Sequence, residues 1–216
     1  MYQDRTEAGV RLAQELQSMA LEHPVVLALP RGGVPVALPI AHALNAPLDL
    51  ILVRKIGVPG QPELAAGAIV DGPPEHIHFN ARILEAFGLG HDDLADAVSA
   101  KRAELAERRT RWLGERVPVS VAGRDAVVVD DGIATGATMR AALMALRDRR
   151  PRRIVLAVPV AAEDTLEALR DLVDAVVCPH VPRYFRAVGL HYRQFDQVPD
   201  DAVTRMMAGA PRDTEE

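Results

Sequence analysis

One continuous stretch, Ala126 to Met139 (AVVVDDGIATGATM), constrains the fold of this chain more than any other. It begins with four apolar residues that predict a buried strand, because β-branched side chains favour strands. Two carboxylates, Asp130 and Asp131, follow, and a loop of small residues then leads into a helical pattern. The backbone N–H groups of such a loop and the N-terminus of the helix attract an anion. The carboxylates suit sugar hydroxyls or a hydrated metal ion.

These residues resemble the phosphoribosyl-pyrophosphate (PRPP) motif of the type I phosphoribosyltransferases. That motif has three or four apolar residues, two acids, two variable positions, and a small residue before Thr-Gly-x-Thr. The resemblance implies that Asp130 and Asp131 bind the ribose hydroxyls and help to place Mg²⁺, directly or through water. It assigns the 5′-phosphate of PRPP to Ala134, Thr135, Gly136, Ala137 and Thr138. The alternative is an ordinary strand–loop–helix junction with an acidic N-cap.

A second strand–loop–helix junction lies near the N-terminus. Val25 to Leu29 predicts a buried strand, and Pro30-Arg31-Gly32-Gly33 follows it. Adjacent glycines leave N–H groups exposed, and a guanidinium fits phosphate oxygens. The resemblance places pyrophosphate binding here, which predicts a role for Arg31, Gly32 and Gly33. A plain turn with a surface arginine is the alternative.

Two basic residues, Arg54 and Lys55, follow a predicted strand at Leu48 to Val53. The Gly- and Pro-rich segment Ile56 to Glu63 predicts a loop, and Leu64 to Val70 predicts a strand with a bulge at Gly67. The resemblance implies a basic residue here that binds pyrophosphate, with Lys55 as first candidate and Arg54 as second. It also implies a mobile loop that excludes water from the reaction. Solvated surface charges are the alternative.

Strands and helices alternate along most of the chain. Further strands are predicted at Arg153 to Val160 and Asp174 to Cys178. This alternation predicts an α/β fold, a doubly wound and mostly parallel sheet with helices on both faces. Ligands bind at the carboxyl ends of such strands, and Arg31, Lys55 and Asp130 each follow a predicted strand.

The chain is expected to divide into a core and appendages. The expected parts are a core at 1–70 and 118–178, a helical insertion at 71–117, a C-terminal hood at 179–208 and a flexible tail at 209–216. A helix with a capping pair at Asp4 and Glu7 opens the core. The insertion contains a long charged helix from Asp92 to Arg116 and is interpreted as a lid or a dimerisation element, which leaves a homodimer open.

The hood gathers much of the small aromatic content of the chain. The resemblance implies that a hood stacks on the acceptor base, for which Tyr184 and Phe185 are the candidates. A purely structural role in the core is an equal alternative. Enzymes of this family that act on 6-oxopurines carry a third Asp where this chain has Ala134, so the motif looks more like the adenine-type variant.

Composition excludes several other classes. The net charge of −5 disfavours nucleic-acid binding, and the single cysteine, Cys178, excludes an internal disulfide. No apolar run is long enough for a membrane helix, and the first residues do not form a signal peptide, so the cytoplasm is the expected location. His76 and His78 alternate on a short strand but lack a nearby third metal ligand.

The sequence thus predicts a Mg²⁺- and PRPP-dependent transferase acting on a small-molecule acceptor. Its catalytic residues would be Asp130, Asp131, Arg31 and Lys55. A non-catalytic regulator that senses PRPP or a nucleotide on the same fold is the first alternative. A hydrolase with Asp130 as nucleophile is the second.

Overall fold

A computed structural model describes residues 1–72 and 74–213. Its main sheet has five parallel strands in the order β2-β1-β6-β7-β8. These strands are β1 (Val25–Ala28), β2 (Leu48–Leu50), β6 (Asp125–Val129), β7 (Arg153–Ala157) and β8 (Ala175–Val177). Strands β1 and β6 are buried along their whole length, as expected of parallel strands covered on both faces. The prediction of a doubly wound, mostly parallel sheet is confirmed.

Helices cover both faces of this sheet. Alternate strand residues belong to two separate apolar clusters, with Val127 and Val129 in one and Val128 in the other. The first cluster includes helices α1 (Arg5–Gln17), α2 (Gly33–Leu44) and α7 (Asp200–Ala208), and the second includes α5 (Ala137–Asp148) and α6 (Glu163–Leu169). Asp4 caps α1 by accepting a 2.8 Å hydrogen bond from the Glu7 amide, as predicted.

The chain between β2 and β6 of the main sheet forms a second, antiparallel sheet. It consists of β3 (Val53–Val58), β4 (Gln61–Val70) and β5 (His76–Phe79). The prediction of a loop at Ile56 to Glu63 is therefore wrong. Most of this segment belongs to a β-hairpin whose turn is confined to Pro59 and Gly60. Gly60 has a φ of +78°, which a glycine adopts without strain. The register shifts directly beside Gly67, where the bulge was predicted.

The predicted strand at Leu48 to Val53 is also corrected. Strand β2 ends at Leu50, and Ile51 and Leu52 lead into β3. Arg54 and Lys55 consequently lie within β3 and do not follow the end of a parallel strand.

The segment 71–117 packs against the antiparallel sheet and the C-terminal helix. It holds β5, α3 (Ala81–Phe87), a short 3₁₀ turn (Asp92–Leu94) and α4 (Ala95–Leu113). Helix α4 buries Val98, Leu105 and Trp112 in the same apolar cluster as α2 and α7. Because β5 pairs with β4, the sheet crosses the boundary predicted at residue 70.

The C-terminal residues return to the core. Tyr192 packs against Tyr2 of the N-terminus, with ring centroids 5.5 Å apart. Within the segment predicted as a tail, Asp213 forms a 2.6 Å ion pair with Arg124. Residues 214–216 lie outside the described residues. No helix within the described ranges is both long and apolar enough to cross a membrane.

Candidate active site

Two loops meet where the order of the parallel sheet reverses. Strands β1 and β6 are neighbours, yet the chain continues from β1 to one side of the sheet and from β6 to the other. Ligands of open α/β sheets bind at such a switch point, beyond the carboxyl ends of the strands. The loop 30–33 follows β1 and the loop 130–136 follows β6, so the structure brings these two predicted regions together.

Close packing of the two loops requires glycine. A Cβ atom at Gly32 would lie 2.0 Å from Oδ2 of Asp131, and one at Gly33 would lie 2.7 Å from the carbonyl oxygen of Val129. Neither position has room for a side chain. The peptide bond between Pro30 and Arg31 is cis. The paired glycines therefore allow the first loop to approach the acidic pair.

The acidic pair is partly buried and unequally compensated. Asp130 accepts a 2.8 Å hydrogen bond from the Asp131 amide, and Asp131 forms a 2.8 Å ion pair with Nε of Arg5. Burial, and then the neighbouring charge of Asp131, raise the pKa of Asp130 well above its ordinary value. Burial also raises the pKa of Asp131, although Arg5 opposes this shift. A ligand that supplies hydroxyl donors or a cation would favour the ionised pair.

The loop after the acidic pair leads into α5. Ile133 anchors it, with its amide donating to the carbonyl of Val160 at 3.0 Å. Gly136 has a φ of +71° and serves as N-cap, so no side chain caps the first amides of the helix. Helix α5 begins at Ala137, which places Thr138 in its first turn. The exposed residues Thr135 and Thr138 flank an amide-lined site suited to an anion.

Arg31 lies beside the acidic loop and is engaged by the C-terminal helix. Its guanidinium is 3.3 Å from Asp200 at the start of α7, and Asp200 also pairs with Arg111 of α4 at 2.9 Å. Burial opposes ionisation of Asp200, but the hydrogen bonds from the two arginines outweigh it and lower its pKa. Arg31 therefore connects the candidate site to the 71–117 segment.

Arg54 and Lys55 line a cavity of about 520 Å³ beside the first loop. Pro30 of the loop 30–33 and Thr138 of α5 line the same cavity. Arg54 is paired with Glu104 of α4 at 3.3 Å, and Lys55 is exposed on β3. The structure thus brings both predicted basic residues to one side of the two loops, although from a hairpin strand.

The two hood aromatics differ in their surroundings. Tyr184 is 81% exposed. Phe185 is half-buried, stacks on His191 with centroids 5.7 Å apart, and lines a cavity of about 1030 Å³ that Ala134 and Thr135 also line. Of the two candidates for stacking on an acceptor, Phe185 alone lines this cavity beside the loop 130–136.

Sequence reasoning missed the groups that hold the acidic loop in place. Arg5 contacts Asp131 from 126 positions away, and the hydroxyl of Tyr192 donates to the carbonyl of Asp131. Asp200 contacts Arg31 across 169 positions. No local pattern marks such pairs, because each joins an ordinary terminal segment to a distant loop.

Comparisons with known proteins bear on the family to which this chain belongs. The phosphoribosyl transferase domain family matches residues 5–193. A protein of Mycobacterium tuberculosis strain H37Rv, itself named only provisionally as a phosphoribosyl transferase, is 44% identical over 218 aligned positions. That alignment covers 99% of this chain and 48% of the relative, so the chain spans about half the length of that curated relative.

Two further matches differ greatly in extent. The crystal structure of TT1426 from Thermus thermophilus superimposes with a TM-score of 0.83 at 41% identity, covering 95% of this chain and 97% of that one. The bifunctional protein pyrR of Enterococcus faecalis strain V583 is 53% identical over 45 residues, which are 20% of this chain and 25% of that protein. The two matches over nearly the whole of this chain and the domain family together show that this chain belongs to the phosphoribosyl transferase domain family and has its α/β fold.

Proposed function

We propose that this chain uses Mg²⁺-PRPP to transfer a 5-phosphoribosyl group to a nitrogen nucleophile and releases pyrophosphate. We expect this nucleophile to be a nucleobase. The observation that carries the proposal is the meeting of three unlike groups at one switch point. These groups are a partly buried acidic pair, an uncapped helix N-terminus and a glycine loop with Arg31. PRPP has a ribose with a phosphate at one end and a pyrophosphate at the other. It therefore needs an anion site for each end and hydroxyl acceptors between them, and these three groups would provide them.

Each group has a defined role in the proposed reaction. The amides and hydroxyls of 134–138 hold the 5′-phosphate, and Asp130 and Asp131 accept hydrogen bonds from the ribose hydroxyls. The bond between ribose C1 and the pyrophosphate oxygen breaks while the acceptor nitrogen bonds to C1 and loses its proton to solvent. The carboxylates stabilise positive charge on the ribose, and Arg31, Lys55 and the amides of Gly32 and Gly33 stabilise the leaving group. Catalysis is positional and electrostatic.

The donor set is compatible with Mg²⁺. Within residues 1–72 and 74–213 no group of three or more His, Cys, Asp or Glu side chains is arranged as a metal cage. Mg²⁺ is commonly held by one or two carboxylates together with substrate phosphates, and the raised pKa of Asp130 belongs to a carboxylate that a cation would help to ionise. Asp130 and Asp131 would hold the ion, which would neutralise charge on the pyrophosphate when bound.

The surroundings of Asp130 weaken one alternative from the sequence. A hydrolase with Asp130 as nucleophile gives no role to Arg31 and the glycine loop, which lie beside the acidic pair. The other alternative is a sensor that binds PRPP without turnover, and the experiment must distinguish it from the transferase.

The test measures pyrophosphate release from Mg²⁺-PRPP with nucleobases and small amines added one at a time. We expect release that depends on one acceptor class and falls at least about 100-fold in Asp131→Asn and Lys55→Ala, as for loss of a transition-state contact. Arg11→Gln, on the exposed side of α1, is the control and should keep its activity. Saturable PRPP binding without release under any acceptor would favour the sensor.

A further inference from the structure

The cavity of about 520 Å³ has a wall that the predicted PRPP residues do not supply. Pro30 and Thr138 line one side of it, and the hairpin strand β3 lines another. Helix α4, within the 71–117 segment, closes the cavity with Lys101, Arg108 and Trp112. The helix is held there by apolar contacts of Trp112 and by the ion pair between Arg54 and Glu104.

The side chains around this cavity are strongly cationic. Arg54 and Lys55 from β3 and Lys101 and Arg108 from α4 all line it, and none of its described lining residues is acidic. Glu104 lies behind this surface, 2.6 Å from Lys101 and 3.3 Å from Arg54, and compensates part of the charge. This concentration of basic side chains around one cavity favours an anionic ligand.

Two of the residues that line the cavity also carry buried donors without an acceptor. The indole Nε1–H of Trp112 and the Nη2 group of Arg54 have no hydrogen-bond partner among the described residues. Trp112 is almost wholly buried, since only 3% of it is exposed. Buried donors are nearly always paired in native proteins, so these two indicate acceptors that the described part of the chain does not provide.

We propose that α4 is a phosphate-binding element, in which Lys101 and Arg108 bind the pyrophosphate group of the ligand from the side opposite the loop 30–33. This inference rests on the proposed function for the identity of the ligand. It assigns the 71–117 segment a role in substrate binding. It also predicts that Trp112 senses the ligand, because its indole lines the cavity that the phosphates enter.

The experiment compares two fragments of PRPP, Mg²⁺-pyrophosphate and ribose 5-phosphate, on the full chain. Trp112 is the only tryptophan, so its fluorescence reports on this cavity, and titration calorimetry gives both dissociation constants. Lys101→Gln and Arg108→Gln should each weaken pyrophosphate binding by about tenfold, the effect of losing one charge-assisted contact. Ribose 5-phosphate binding should stay within about twofold of wild type, which also shows that the variants are folded.

Arg102→Gln is the matched control. Arg102 follows Lys101 on the same helix, pairs with Glu75 on the surface and is not among the described residues that line the cavity. It should bind pyrophosphate as wild type does, and pyrophosphate should change the Trp112 emission in both.

The two ideas fail in different ways. Suppose that wild type binds both fragments. If the α4 variants then bind pyrophosphate with the wild-type dissociation constant, or if pyrophosphate leaves the Trp112 emission unchanged, the role of α4 is refuted and the transferase proposal stands. If wild type binds neither fragment, the proposed function fails and this inference fails with it.

Discussion

Arg5 is the group whose removal most directly tests how the acidic pair is stabilised. It pairs with Asp131 at 2.8 Å, and the two side chains are only 12% and 15% exposed. Its Nη1 group donates to the carbonyl of Asp196 at 2.8 Å, and its guanidinium carbon lies 3.8 Å from the centre of the Phe195 ring. Arg5→Gln should therefore leave a partly buried carboxylate without its counter-charge.

The expected loss of stability is large. Removing one partner of a buried ion pair costs about 3–5 kcal/mol, and we take about 3 kcal/mol because both side chains keep some exposure. For a chain of this length that free energy corresponds to a decrease in Tm of about 6–12 °C. Relaxation of the loop around Asp131 would reduce this loss.

The defect should also depend on pH. Burial raises the pKa of Asp131, and Arg5 opposes this rise, so Arg5→Gln raises the pKa further. A group with a raised pKa stabilises the fold below its unfolded pKa, and that contribution is lost as pH rises through the folded pKa. The defect of the variant should therefore be small near the ordinary Asp pKa of 3.8 and grow toward pH 8.

Thermal unfolding at pH 4 and pH 8 measures both effects. Arg11→Gln is the control on the same helix, because its pair with Glu7 is 51% and 37% exposed and should contribute at most about 0.5 kcal/mol. In an Asp131→Asn background, Arg5→Gln should cost at least about 1 kcal/mol less than in wild type. The role of Arg5 as a counter-charge is refuted if Arg5→Gln is as stable as Arg11→Gln, or costs the same in both backgrounds.

Three further substitutions test other contacts of the fold and the site. Asp130→Asn should raise the Tm at pH 8, by about 2–4 °C for each kcal/mol recovered, because burial disfavours the ionised carboxylate. The same substitution should abolish PRPP-dependent turnover. An unchanged or lower Tm in thermal unfolding would contradict the stability argument. Gly32→Ala places a Cβ 2.0 Å from Asp131 and should weaken PRPP binding at least about tenfold by calorimetry, a loss of about 1.4 kcal/mol, whereas Gly209→Ala, with no atom nearer than 3.9 Å, should not. Asp125 is fully buried among two arginines and a backbone amide, so Asp125→Asn should cost about 3–5 kcal/mol in urea unfolding, and a cost below about 1 kcal/mol would count against its role as a counter-charge.

The parallel strands were predictable because their physics is local. Ala126 to Val129 and Val25 to Leu29 are uninterrupted apolar runs, and burial on both faces of a sheet requires such runs. The two loops were predictable because small residues must stand where backbones approach closely, as the space around Gly32 and Gly33 shows. The Asp4 cap followed from one side chain and an amide three residues away.

The hairpin and the support of the site depend on non-local contacts. The strand pattern of the hairpin is weakened by its glycines and prolines, Gly57, Pro59, Gly60 and Pro62. Strands β3 and β4 form only because each provides the pairing partner of the other. The ion pair between Arg5 and Asp131 depends on where the N-terminal helix packs, which no window of sequence encodes. Phe185 is a similar case, because its place beside the loop 130–136 depends on the path of the C-terminal chain.

The central claim is that the loops after β1 and β6 form one PRPP site. Titration calorimetry of the full chain with PRPP in the presence of Mg²⁺ tests it most directly, with Asp131→Asn beside wild type and Arg11→Gln as control. We predict saturable one-to-one binding in wild type and Arg11→Gln, weakened at least about 100-fold in Asp131→Asn, a loss of about 2.7 kcal/mol. Absence of PRPP binding in wild type, or equal binding in Asp131→Asn, would contradict it.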